Sequence, residues 1–322
     1  MKFGLELVPY HPVDTCIKLA KEAERIGLDQ LWVCEHYHNR HVYSVLTAIA
    51  LSTRKIALGP GVTNPYLTHP SLTAAAIATL DEISKGRAML GISAGDPIFL
   101  STVGIEQKKP ATTVREAIII IRELLEGEEV HFQGEVFSCR GAKLRFRPPH
   151  KIPIYLGGRR RRMLRLAAEL ADGVLINAAH PEDVKECLSY LGRSKLEKVA
   201  YVPISLGTDH ESEKKAAKGV VAFVASSSPP ESLERHGIEL KKVEEIRSCL
   251  LKGRLKEARE KVDEKMLEAF SVCGKEKLEK RIEELSKLGI SRMVLGSPLG
   301  PDPLYSMRTL KSIVEPSSHR HL

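Results

Sequence analysis

The stretch KIALGPGVTNPYLTHPSLTAAAIATLDEISKGRAMLGISAGD, residues 55–96, decides the fold. It opens on a short apolar run, KIALGPGVT (55–63), and passes through a proline-bearing loop into SLTAAAIATLDEIS. It closes on a second apolar run, GRAMLGISAG (86–95). The middle segment has the length and the helix formers of a helix. The flanking runs are short and near-continuously apolar, as strands are when both faces are covered. Two such strands joined by a helix lie parallel.

The same unit recurs on both sides. KFGLEL (2–7) precedes the helical DTCIKLAKEAERIG, and LDQLWVCE (28–35) precedes VYSVLTAIALSTR. Further on come IPIYLGG (152–158) with RMLRLAAELA, DGVLINAA (172–179) with PEDVKECLSYL, KVAYVPISLG (198–207), and SRMVLGSPLG (291–300). Eight strands alternating with helices predict an α/β chain folded as a (β/α)8 TIM barrel. A doubly wound open sheet competes, but the first strand runs into ELVPYHP rather than a GxGxxG turn. Residues 1–322 read as a single barrel domain with two interruptions. EEVHFQGEVFSCRGAKLRFRP (128–148) reads as a hairpin insertion, and 226–270 as a charged helical excursion opening on SSSPPES.

Composition narrows the class of function. The chain has 322 residues, 43% hydrophobic and 28% charged, enough for a sizeable core. No apolar run approaches the ~20 residues of a membrane helix, and MKFGLELVPY lacks a signal-peptide pattern, so a cytoplasmic protein is expected. The six cysteines are scattered without a CxxC pair, which excludes a zinc ribbon and a disulfide framework. A net charge of +8 raises nucleic acid as a partner. Most basic residues alternate with acidic ones, as on a solvated helix face, and no nucleic-acid motif accompanies them, so none is expected. One basic cluster, GGRRRRM (157–163), stands apart.

In a barrel of this kind chemistry sits at the C-terminal ends of the strands. Those ends carry Glu6, Glu35, His36, Thr63, Asn64, Asp96, Gly157, Gly158, Asn177, Ser205 and Ser297. In KFGLEL, Phe3, Leu5 and Leu7 share one face, so Gly4 and Glu6 point into the barrel. A carboxylate there belongs either to a structural ion pair or to acid/base chemistry. CEHYHNRH (34–41) admits three readings: a metal site, a site-lining cluster or a polar loop. His36 and His38 could share a strand face, but no later strand end supplies a second pair, His180 standing alone. No metal is therefore expected. Two glycines leading into a helix at 157–163, with Arg159 beside them, suit an anion such as phosphate. A solvated basic turn is the alternative.

MKFGLELVP, HYHNRHVYSVLTAIALSTRKIALGPGVTNPY, GISAGD, AAELADGVLINAAHP, SPPESLERHGIE, EAFSVCG and GSPLGP together resemble the methylenetetrahydromethanopterin reductases. These belong to the bacterial luciferase-like barrels that use the deazaflavin coenzyme F420. The likeness runs in register from residue 1 to about 301. It implies a luciferase-like barrel that reversibly reduces 5,10-methylenetetrahydromethanopterin with reduced F420, an 8-hydroxy-5-deazaflavin. Glu6 would be the catalytic acid. Cofactor contacts would fall on Glu35, His36, Gly61, Val62, Asn64, Asp96, Gly157, Gly158, Arg159 and Asn177. The resemblance also implies a non-proline cis peptide at Gly61–Val62 behind the deazaflavin ring, a pterin substrate, and a homodimer or homotetramer. Another F420-dependent dehydrogenase or reductase, an FMN-dependent luciferase-like monooxygenase, and a non-enzymatic flavin-storage subunit are the alternatives. The chain has GGRRRRM where the family suggests GAQGPKM, and Glu35 where it often has aspartate.

Overall fold

A computed structural model describes residues 1–35 and 38–314. Eleven strands occur among them: β1 (Lys2–Leu7), β2 (Gln30–Val33), β3 (Ala57–Pro60), β4 (Leu90–Ile92), β5 (Val130–Gln133), β6 (Ser138–Ala142), β7 (Ile154–Gly158), β8 (Gly173–Ile176), β9 (Glu197–Ser205), β10 (Val272–Cys273) and β11 (Arg292–Leu299). Eight of them form one parallel path in the order β3-β2-β1-β11-β9-β8-β7-β4. Parallel bridges Leu58↔Ala88 and Thr63↔Ile92 join its two ends, so the sheet closes into the expected (β/α)8 barrel. Closure leaves no open sheet edge and gathers every strand C-terminus at one mouth.

The strands are shorter than their apolar runs. LDQLWVCE contributes only Gln30–Val33 to the ladder, and KIALGPGVT only Ala57–Pro60. The residues that follow the ladder bend into the loops that line the mouth. β5 and β6 pair antiparallel as a hairpin outside the barrel. Residues 226–270 hold four short helices, Pro230–Arg235, Leu240–Leu251, Leu255–Glu260 and Glu264–Phe270. They pack against the long helix His210–Ser226 around a second apolar cluster that includes Val221, Ile246, Met266 and Phe270. The two-residue β10, which follows them and pairs with β9, is too short to show a period of its own.

Helix starts follow local chemistry. Asp209 accepts from the Ser212 amide, and Asp263 from the Met266 amide, each satisfying an otherwise unpaired N–H of a first turn. The main core lies between strands and helices and includes Leu5, Ile49, Ile77 and Leu295. Inside the barrel a smaller cluster of Trp32, Met89, Tyr155, Leu175, Val199, Tyr201 and Val294 fills the lumen. At its lower end Trp32 donates to Gln30, Gln30 to Tyr155, and Tyr155 to Glu197, which Arg292 also holds. The lumen is a packed plug, so a ligand can enter only from the mouth. Among the described residues no helix is long and apolar enough to cross a membrane.

Candidate active site

Glu6 stands at the centre of the mouth. The period-2 pattern of β1 turns it inward while Leu5 and Leu7 face the helix layer. Its Oε1 accepts from the Cys34 thiol at 2.7 Å, and its Oε2 from the Ser297 amide at 2.7 Å. Both donors favour the charged form. Burial outweighs them and pushes the Glu6 pKa above the usual carboxyl range. Cys34 also donates to the Gly61 carbonyl at 3.3 Å, as does the Tyr201 hydroxyl at 3.3 Å. Burial and the nearby Glu6 push both the thiol and the phenol well up, so each stays a neutral donor.

The end of β3 passes directly over this group. The Gly61–Val62 peptide is cis. A Cβ on Gly61 would lie 2.6 Å from the Trp32 Cβ and 2.8 Å from the Tyr201 oxygen, so only glycine fits. Val62 packs over two further glycines. Cβ atoms on Gly91 and Gly157 would come within 3.3 and 3.0 Å of its Cγ1. Ser93 fixes the neighbouring strand end by donating to the Gly157 carbonyl at 2.7 Å. The space that the missing Cβ atoms leave is filled by Trp32, Tyr201 and Val62, and Val62 remains half-buried as an apolar step at the mouth.

Glu35 anchors the next layer. One carboxylate oxygen accepts from the Thr63 hydroxyl at 2.8 Å, the Asn64 amide at 3.2 Å and the Asn64 side chain at 3.4 Å. The Asn64 side-chain oxygen in turn takes the amides of Tyr66 and Leu67. Glu35 thereby ties the β2 loop to the β3 loop, and burial raises its pKa. Asp96 caps the helix Pro97–Thr102 by accepting from the Ile98 amide at 2.7 Å, and burial raises its pKa as well. Burial thus raises the pKa of three carboxyls at one mouth.

On the opposite side, Gly157 and Gly158 end β7 and Arg159 turns inward. Its guanidinium makes one long hydrogen bond, 3.4 Å to the Val224 carbonyl, and no salt bridge among the described residues. Burial lowers its pKa to about 10. Five N–H donors with a single weak acceptor make a strong anion seat. Asn177 is exposed just past β8. His36 lies outside the described residues.

Residues 1–292 match the family model of luciferase-like monooxygenases. The chain is 45% identical to a 5,10-methylenetetrahydromethanopterin reductase of Archaeoglobus fulgidus, covering 98% of this chain and 99% of the relative. A reductase of the same name from Methanolobus tindarius is 41% identical over 94% of this chain and 96% of its own. The chain belongs to the methylenetetrahydromethanopterin reductase family. The solved coenzyme F420-dependent tetrahydromethanopterin reductase of Methanopyrus kandleri superposes with a TM-score of 0.86. It is 37% identical and is matched over 96% of this chain and 97% of its own.

Within this reductase barrel, sequence reasoning missed several partners. Cys34 is absent from the residues expected to line the site, yet its thiol holds Glu6. Its inward direction was readable, since Trp32 and Cys34 share a strand face. Tyr201 and the Ser297 amide reach Gly61 and Glu6 only through the register of β9 and β11 against β1, which no local pattern reveals. Nor is His180 alone. The helix Pro230–Arg235 folds back and sets the His236 ring 4.6 Å from it, and the ligand atoms of His180, Glu182 and His236 lie within 4.8 Å of one another. Those groups are already engaged within the fold, for His180 caps a helix through the Glu182 amide and His236 pairs with Asp183 at 2.9 Å.

Proposed function

We infer that this chain catalyses the reversible reduction of 5,10-methylenetetrahydromethanopterin to 5-methyltetrahydromethanopterin with reduced coenzyme F420. The observation that carries the reading is a half-buried Glu6, its pKa raised by desolvation, at the mouth of a barrel that matches a methylenetetrahydromethanopterin reductase end to end. The residues present fit a deazaflavin. The half-buried Val62, seated on Gly91 and Gly157, offers an apolar surface at the mouth against which a flat ring can lie, and the under-bonded Arg159 suits a phosphate. When bound, reduced F420 supplies a hydride from C5.

The side chains then divide the remaining work. Val62 and Gly61 back the ring, with Trp32 and Tyr201 keeping that backbone from yielding. Gly157, Gly158 and Arg159 take the phosphate, and Asn177 and Asp96 line the approach. Glu35 and Asn64 keep the β2 and β3 loops in register. Glu6 holds a proton at a carboxyl oxygen. Opening of the pterin's methylene bridge needs the departing nitrogen protonated, and Glu6 delivers that proton or steadies the cation that opening produces. In the reverse direction it takes the proton back.

The reading also sets the protein in the cytoplasm, supported by six free, buried thiols that suit a reducing compartment. It includes a homodimer or homotetramer.

Trp32, the single tryptophan, is fully buried beneath Gly61 and reports directly on this step. Titration of its fluorescence with F420 and, separately, with FMN should show saturable quenching by F420 alone, with equilibrium dialysis as the check. Preference for FMN would move the chain to the monooxygenase branch and remove the role of Glu6.

A further inference from the structure

The helix Arg161–Leu170 begins against the rules of helix chemistry. Its N-cap is Arg160, which makes no capping bond, and its first turn holds Arg161 and Arg162 with no acidic residue. Cations at a helix N-terminus oppose the positive end of the macrodipole and leave the first amides without acceptors. Arg161 and Arg165 add a like-charge pair one turn apart. Neighbouring helices show what an ordinary surface does with such charges: Arg115 pairs with Glu169, Arg122 with Asp172, and Arg235 with Glu186. Among the described residues, Arg160, Arg161 and Arg162 have neither an ion pair nor a side-chain hydrogen bond, and all three are exposed. A local rule broken without compensation inside the chain points to compensation by a ligand.

The run also has a direction. Gly158 ends β7 at the mouth, Arg159 turns inward to the Val224 carbonyl with most of its donors unfilled, and the next three arginines turn outward. A ligand anchored at Arg159 and carrying further negative charge outward would meet them in order. A compact anion such as free phosphate would reach only the buried end.

We propose that Arg160, Arg161 and Arg162 bind the acidic glutamyl tail of the deazaflavin coenzyme and make this enzyme favour long-tailed forms of it. The proposal rests on the F420 reading above and adds a specificity to it. Each glutamate of the tail brings a carboxylate that pairs with a guanidinium and offsets the repulsion at the helix start.

The test is a fluorescence titration of the intact protein with phosphorylated deazaflavin lacking glutamates and with F420 bearing a long tail, at low and high salt. The tailed form should bind about five- to thirtyfold more tightly at low salt, as three exposed ion pairs of ordinary strength would give. High salt should erase most of that preference. Replacing all three by glutamine (R160Q, R161Q, R162Q) should abolish it and leave tail-less binding unchanged. Three lysines in the same places should retain most of it. Equal binding of the two forms by the wild-type protein, or a preference surviving the glutamine changes, would overturn the proposal alone. Failure of both forms to bind would overturn the F420 reading with it.

Discussion

Glu6 is held by two donors and still pushed towards its protonated form by burial, which gives its substitution two opposite effects. Glu6→Gln keeps an acceptor for the Ser297 amide but has no proton to give. Turnover should fall by about 10²–10⁴-fold, the usual loss for a positioned acid, while F420 affinity stays within about twofold. Stability should move the other way. A carboxyl whose folded pKa is raised contributes most below the unfolded value of 4.5, and that contribution is lost as pH rises through the folded value. The variant should therefore melt higher than wild type near neutral pH, and the difference should vanish below about pH 4. Cys34→Ala removes a donor that favours the charged form. It should raise the Glu6 pKa further and shift the alkaline fall of kcat to higher pH, which a pH–rate profile reads directly. Glu6 itself was legible from period-2 alternation in KFGLEL. Its surroundings were not, because Tyr201 and Ser297 arrive from distant parts of the chain through strand register.

The strand ends act as units, and two of them carry distinct predictions. At the end of β3, Gly61→Ala places a methyl group 2.6 Å from Trp32, against the top of a packed lumen. Overpacking of this kind costs about 1–3 kcal/mol, so denaturant melts should show a loss of that size together with weakened F420 binding. At the end of β7, Arg159→Gln removes the charged donor set proposed to hold the phosphate. F420 affinity should drop by about 10–100-fold, as a lost charge-assisted contact implies, and the loss should appear equally with tailed and tail-less ligands. The barrel strands were readable because buried parallel strands are apolar at nearly every position. Their boundaries were not, because apolar residues such as Cys34 and Val62 continue past the ladder into the mouth. The pairing of His180 with His236 was hidden for a related reason: it joins a strand end to a helix of the 226–270 segment, and no sequence period links the two.

Across the whole molecule, closure of eight parallel strands sets the polarity of function. The lower lumen is sealed by the network of Gln30, Tyr155, Glu197 and Arg292, so chemistry is confined to the mouth. That mouth brings together a carboxyl whose pKa burial raises, a half-buried valine seated on glycines and a half-buried guanidinium short of acceptors. In the proposed reaction each takes a different part: proton transfer, ring support and anion binding. The most direct test is an anaerobic assay of the purified protein with reduced F420 and 5,10-methylenetetrahydromethanopterin, following the absorbance of oxidised F420 and the methyl-pterin product together. The account predicts one equivalent of each per turnover, sustained by wild type and reduced by about 10²–10⁴-fold in Glu6→Gln. Full activity in Glu6→Gln, or F420 oxidation that does not depend on the pterin, would contradict it.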